Sequence, residues 1–168
     1  MDRNRFADIH CSVSRAAGVA ADPWTLLILR DLFLGLNRYE ELRRDLGIAT
    51  NVLADRLDRL VADGLAERHA YQDNPLRHAY RLTPAGRDLY PVLLTLLAWG
   101  DRHRSEGGPP LRLLHADCGH PAVPSLTCSH CGGALTPETT TAAPGPGGRA
   151  APGTALVPGR LPTSLGPA

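Results

Sequence analysis

Apolar positions along the chain recur at two periods, and each change of period marks an element. From Ser12 to Ala21 the residues are small and moderately helical; Asp22-Pro23 then supplies a capping side chain followed by proline at the first helical position. Trp24, Leu27, Ile28 and Leu32 follow at helical spacing, and Gly35 offers a left-handed stop, which predicts a central, mostly buried helix. YEELRRDL and NVLADRLDRLVADG form two further helical patterns joined by Gly47-Ile48-Ala49-Thr50. In the second, Leu53, Leu57, Leu60 and Val61 share one face while Asn51, Asp55, Asp58 and Arg59 take the other. The period then falls to two. LAERHAY and RHAYRLT read as strands around the polar turn Gln72-Asp73-Asn74-Pro75, and Thr83-Pro84 opens one last helix with an apolar stripe from Leu89 to Leu97.

A four-residue, glycine-containing turn between two amphipathic helices is a helix-turn-helix pattern, a corner many helical bundles contain. A hairpin directly after the second helix, and a long helix after that, make the order that of a winged helix. The predicted fold class is therefore mainly α (α+β): a winged helix-turn-helix over residues 10–105, a zinc-ribbon-like segment over 112–135, and a disordered tail over 136–168.

The blocks C-S-V-S-R-A from Cys11, D-P-W-T-L-L-I-L-R-D-L, R-Y-E-E-L-R-R, V-L-A-D-R-L-D-R-L-V-A-D-G-L, P-L-R-H-A-Y-R-L-T-P-A-G and L-A-W-G stand in order up to about His103. Over some 90 residues they resemble the HxlR-type winged-helix regulators related to MarR. The resemblance implies a homodimeric DNA-binding transcription factor with terminal helices in the dimer interface. The Leu89 to Leu97 stripe fits that role, and intrachain core explains part of it equally well. Two positions depart from the family pattern. Ala49 stands where a serine cap is common, leaving Thr50 as a shifted cap, and Asn51 replaces a commonly basic residue.

In this architecture the helix starting near Thr50 enters the major groove and the wing reaches adjacent backbone or minor groove. Thr50, Asn51, Arg56 and Arg59 are the candidates for base or phosphate contacts, since asparagine pairs with adenine and arginine with guanine. For Arg56 and Arg59 the alternative is an ion pair with Asp55 or Asp58 on the same helix. Between Glu67 and Arg87 the wing carries Arg68, Arg77, Arg81 and Arg87 against Glu67 and Asp73. Arg77, near the hairpin tip, is the leading phosphate candidate. Arg43 and Arg44 are further backbone candidates, or ordinary solvated surface.

Composition sharpens this picture at three points. The 18 basic residues, all arginine, against 17 acids exclude a globally basic coat, so any DNA contact must be local and arginine-borne. All eight aromatics lie between Phe6 and Trp99, and the proline- and glycine-rich stretch after Thr136 has too little apolar surface to offset its chain entropy. The first ten residues lack the apolar core of a secretory signal, and the longest apolar run, Val92 to Trp99, is short of the ~18 residues of a membrane span, so a cytoplasmic protein is expected.

Thiols in a reducing compartment point to metal binding or reactivity rather than to disulfides. Cys11 stands alone at the start of the first predicted helix, where the resemblance supplies a cysteine that senses oxidants or electrophiles in some members; a packed, inert thiol is the alternative. The other three cluster with histidines: His115-x-x-Cys118-Gly-His120, then Cys128-Ser-His130-Cys131-Gly. A ligand-x-x-Cys-Gly turn is the knuckle of a zinc ribbon, and three cysteines with one histidine complete a tetrahedral structural Zn2+ site. His115 is favoured by spacing, with His120 and His130 as alternatives.

No glycine-rich phosphate loop, glycine-flanked nucleophilic serine or paired-carboxylate motif is present, so an enzyme is not expected. The leading function is a homodimeric repressor that binds a promoter operator in double-stranded DNA, open to an unspecified small-molecule or redox effector. The alternative is a winged-helix and zinc-ribbon interaction module that contacts the transcription machinery.

Overall fold

The computed structural model describes residues 8–143 and 145–156. The chain divides into two units, Ala21–Pro124 and a second made of Met1–Ala20 with Ser125–Ala168. Among the described residues the second unit holds helix α1 (Ser12–Ala20) and a series of turns. There the His10 amide donates to the Pro152 carbonyl at 2.8 Å. Of the tail expected from 136 onward, residues 144 and 157–168 lie outside the described residues, and the remainder forms turns and bends without helix or strand.

The larger unit runs α2 (Pro23–Phe33), α3 (Tyr39–Leu46), α4 (Thr50–Ala62), β1 (Ala66–Asp73), β2 (Leu76–Leu82), α5 (Pro84–Arg87) and α6 (Tyr90–His103). The Asp22 carboxylate accepts from the Trp24 and Thr25 amides at 3.1 and 3.2 Å, satisfying two of the donors a helix start leaves open. The first turn of α3 is closed by the Glu41 carboxylate, which accepts from the Arg38 amide at 3.0 Å. Gly47 ends α3 at φ 60°, a conformation only glycine adopts without strain, and this redirects the chain into α4.

Apolar residues of all three helices meet in one core: Ile28, Leu29 and Leu32 of α2, Leu42 of α3, and Leu53, Leu57 and Leu60 of α4, sealed by Ile48, Leu65 and Tyr80. Each such side chain removed from water stabilises the domain by about 1.5–3 kcal/mol before chain entropy is counted. One carboxylate shares this core. Asp31 is fully buried, its Oδ1 takes the Arg30 guanidinium at 2.6 and 2.8 Å, and burial pushes its carboxyl above the usual range despite that partner.

β1 and β2 pair antiparallel from Ala66↔Leu82 to Asp73↔Leu76, with an irregularity between Ala70 and Gln72. The expected four-residue turn therefore shrinks to Asn74-Pro75, because Gln72 and Asp73 extend the ladder. The Tyr80 amide donates to the Asn37 carbonyl at 2.8 Å and Arg38 bridges Ala79, so the wing is stitched to the segment before α3.

The single long helix expected after Thr83-Pro84 is two. Thr83 caps a short α5 by accepting from the Gly86 amide at 3.1 Å, and the chain restarts at α6. Pro91 is the physical reason: it has no amide to donate to the Arg87 carbonyl, so the ladder cannot run through. Phe33 packs on Tyr90 with ring centroids 4.8 Å apart, seating α6 on the end of α2.

Candidate nucleic-acid interface

The α3–α4 turn delivers the N-terminus of α4 to the surface. Its N-cap is Ala49, with extended ψ of 141°, and Thr50 is already helical, so the shifted cap expected at Thr50 does not form. Alanine has no side-chain oxygen, and no side chain caps this end. The first-turn amides of α4 are thus left for solvent or for an anion aligned with the helix dipole. The Tyr39 hydroxyl donates to the Thr50 carbonyl at 2.8 Å and fixes this turn to α3. Thr50 and Asn51 are exposed beside it, followed on the same face by Ala54, Asp55, Asp58 and Arg59.

Arg56 and Arg59 are both engaged by carboxylates. Arg56 is largely buried; its Nε and Nη2 donate to the two oxygens of Asp22 at 2.9 and 3.1 Å, and its Nη1 reaches Asp55. This fork-to-fork pair joins the start of α2 to the middle of α4, 34 residues apart in sequence. Burial raises the Asp22 carboxyl, but the Arg56 guanidinium and the Thr25 and Trp24 amides outweigh it and hold the carboxyl below the usual range. Asp22 in turn holds the Arg56 guanidinium above its ordinary value. Arg59 is different: it is exposed and reaches Asp55 one turn back at 3.1 Å, a pairing of about 0.3–0.5 kcal/mol that a phosphate can displace. Arg43 is paired with Glu40 at 3.1 Å, whereas exposed Arg44 has no ion-pair partner among the described residues.

Arg77, beside the hairpin tip, and Arg81 are exposed with no ion-pair partner among the described residues, while Arg68 is held by Asp58 at 3.3 Å. Arg38 lies 4.8 Å above the Tyr71 ring, a contact between the helix-turn-helix and the wing that periodicity could not have signalled. Arg44, Arg77 and Arg81 are therefore exposed cations without an ion-pair partner among the described residues.

On α6, Val92, Leu96 and Trp99 are 53, 47 and 51% exposed, and their spacing puts them on one face. Of the expected stripe, Leu93 and Leu97 turn inward, half-buried, and with Leu27, Phe33 and Leu113 line an apolar cavity of about 210 Å³.

Cys11 occupies the N-cap position of α1, where its carbonyl accepts from the Arg15 amide at 3.1 Å, and it is half-buried. All four cysteines are free thiols. His115 and Cys118 are brought together, with the ring Nδ1 3.5 Å from Sγ. Cys128 and Cys131 form a second pair: the Cys131 and His130 amides, with the Cys131 thiol, hold the Cys128 thiol below its ordinary value. The His120 ring turns instead to the Cys118 carbonyl at 2.8 Å. Among the described residues, no three histidine, cysteine or acidic side chains gather at one point, and no helix is long and apolar enough to cross a membrane.

The family model for the HxlR-like helix-turn-helix matches residues 19–107. An uncharacterized HTH-type transcriptional regulator of Mycobacterium tuberculosis, Rv3095, is 48% identical over 141 residues, which is 83% of this chain and 89% of the relative. The crystal structure of PA1607, described as a candidate transcription factor, superposes with a TM-score of 0.72 at 34% identity, covering 80% of this chain and 94% of its own. The oxidized form of the redox regulator HypR superposes at 0.53 with 31% identity, covering 57% of this chain and 100% of its own.

Proposed function

The chain belongs to the HxlR-like helix-turn-helix family, and from that premise we propose that it binds double-stranded DNA as a homodimeric, sequence-specific regulator and represses by occupying a promoter operator. The carrying observation is the uncapped N-terminal turn of α4 with Thr50 and Asn51 exposed, beside a helix-turn-helix and wing whose Arg44, Arg77 and Arg81 are exposed without ion-pair partners among the described residues. In this reading the open amides take a phosphate and fix the register. Asn51 reads a base edge, and Arg77 and Arg81 hold the flanking backbone. Arg56 serves as a strut that orients α4 through Asp22 rather than as a reader, and Arg59 joins the contacts by exchanging Asp55 for phosphate.

The exposed Val92, Leu96 and Trp99 face of α6 supports the homodimer, since such a patch on a small domain marks a surface that is covered in use. Likeness to the redox regulator HypR, together with a thiol at a helix N-cap, supports control through Cys11 by oxidants or electrophiles. The engagement of both α4 arginines by carboxylates is the one observation that favours the interaction-module reading.

Electrophoretic retardation separates the two. Duplex DNA from upstream of the chain's own gene is expected to shift against a scrambled competitor, and Asn51→Ala is expected to lose that preference while keeping unspecific binding. Equal retardation of both sequences by the wild type would sink the operator reading, and retardation of neither would leave the interaction module.

A further inference from the structure

Ile9, His10 and Cys11 lead into α1 of the smaller unit, and part of the proline- and glycine-rich stretch of that same unit folds back onto them. The His10 amide donates to the Pro152 carbonyl at 2.8 Å, and the His10 ring Nε2 donates to the Gly147 carbonyl at 2.8 Å. One residue thus holds the stretch at two points. Gly153 follows at φ 92°, and a Cβ built there would lie 2.4 Å from Ile9 Cγ2 and 3.6 Å from Cys11 Cβ. Only glycine permits that approach in that conformation.

Turn bonds inside the stretch keep its shape. The Gly148 amide donates to the Gly145 carbonyl at 2.8 Å, the Thr154 amide to the Ala151 carbonyl at 2.9 Å, and the Thr154 hydroxyl to the Arg149 carbonyl at 2.8 Å. A segment short of apolar surface is ordered here because it presents backbone carbonyls to the two donors of His10, and Pro152 narrows the freedom lost on docking. The hold is slight all the same. Ala151 and Thr154 are half-buried while the residues beside them are exposed, and a segment attached by so few contacts opens while the helices stay folded.

We propose that residues 147–153 are a strap that closes over Cys11, so that its opening governs how fast a solute reaches the half-buried thiol. With the strap closed, the backbone at Gly153 occupies one approach to Cys11; with it open, that approach is free. Both sides of the contact lie outside residues 19–107, the part matched by the family model. The strap extends the reading of Cys11 as a controlled thiol, and it is measured without DNA, so either can fail alone.

The probe is iodoacetamide, applied to the full-length reduced protein, with modification of each cysteine followed by peptide mass spectrometry. In this reaction the Cys11 sulfur forms a bond to the methylene carbon, iodide leaves with the bonding pair, and the thiol proton goes to solvent. Wild-type Cys11 is expected to react more slowly in the folded protein than in urea. His10→Ala removes one of the two hydrogen bonds and is expected to speed the reaction about 2–10-fold, the shift in opening that one such bond supports. Gly153→Val blocks closure and is expected to speed it further. Hydrogen exchange supplies the second measurement: the His10 amide is expected to be protected in the wild type and to lose that protection in Gly153→Val, while the amides of α1 keep theirs. An unprotected His10 amide in the wild type would overturn the strap. So would a Cys11 rate in Gly153→Val equal to that of the wild type, or a faster rate that comes with loss of protection throughout α1.

Discussion

Replacing Gly86 with alanine sets two effects of opposite sign against each other. Gly86 sits inside α5 with an ordinary helical backbone, so helix propensity alone favours alanine by about 0.5–1 kcal/mol. A Cβ built at this position, however, lies 2.1 Å from the Leu65 carbonyl oxygen and 3.1 Å from Leu82 Cδ2. Relief requires a movement of about 1 Å in packing that tolerates little change. The obstacle is backbone rather than a flexible side-chain end, and that same carbonyl accepts from the Thr83 amide at 3.0 Å. Overpacking of this kind costs about 1–3 kcal/mol, and a strained or lost backbone bond about 0.5–1.5 kcal/mol more. The net expectation is destabilisation by about 1–3 kcal/mol, read as a lower urea midpoint by circular dichroism, or as a Tm lowered by about 4–8 °C per kcal/mol for a domain of this size. Leu65 joins α4 to β1, so the displacement also tilts the wing, and DNA affinity is expected to fall with stability. An alanine variant as stable as the wild type, or more so, would refute the close approach of α5 to Leu65 and leave propensity as the governing term.

Four further outcomes follow from the same geometry. Arg77→Ala is expected to weaken binding to many DNA sequences alike and to reduce the slope of log affinity against log salt by about 0.9, measured by fluorescence anisotropy; an unchanged slope removes Arg77 from the phosphate contacts. Because the folded Asp22 carboxyl lies below its unfolded value, its stabilisation is complete above the unfolded pKa and is lost as pH falls through the folded one. Asp22→Ala is thus expected to cost about 0.5–2 kcal/mol at neutral pH and to flatten the acid limb of the urea-midpoint profile, whereas an unaltered limb would show that Asp22 does not carry it. Leu96→Glu is expected to convert a dimer to a monomer in light scattering, and a persistent dimer would place the interface elsewhere. Diamide is expected to release operator DNA from the wild type and not from Cys11→Ser with the other cysteines intact; release from both would eliminate Cys11 as the sensor.

Much of the winged helix was legible because its signals are local. The Asp22-Pro23 cap, the leucine spacing of α4, the two-residue period of the hairpin and the ligand-x-x-Cys-Gly turns each depend on residues within a few positions of one another. Pro91 was a legible stop as well, yet the continuous leucine pattern on both sides of it masked the break between α5 and α6. Arg56 was legible only in part, for a different reason: it does reach Asp55. Its spacing on α4 offered Asp55 as a same-helix partner, and nothing in that spacing reveals Asp22.

The sequence by itself determined the order of the elements as far as Thr83, the turn after Gly47, the pairing of the two hairpin strands and the recurrence of the cysteine turns, because periodicity and turn chemistry act over a few bonds. Only the tertiary structure decided that Ala49 leaves α4 uncapped and that Arg56 is bound by Asp22, while Arg44, Arg77 and Arg81 have no ion-pair partner among the described residues. It also decided that Asp31 is buried in the core. Those outcomes depend on distances between residues far apart in the chain, and the partner of a charged group is set by which carboxylate the fold carries within reach of it.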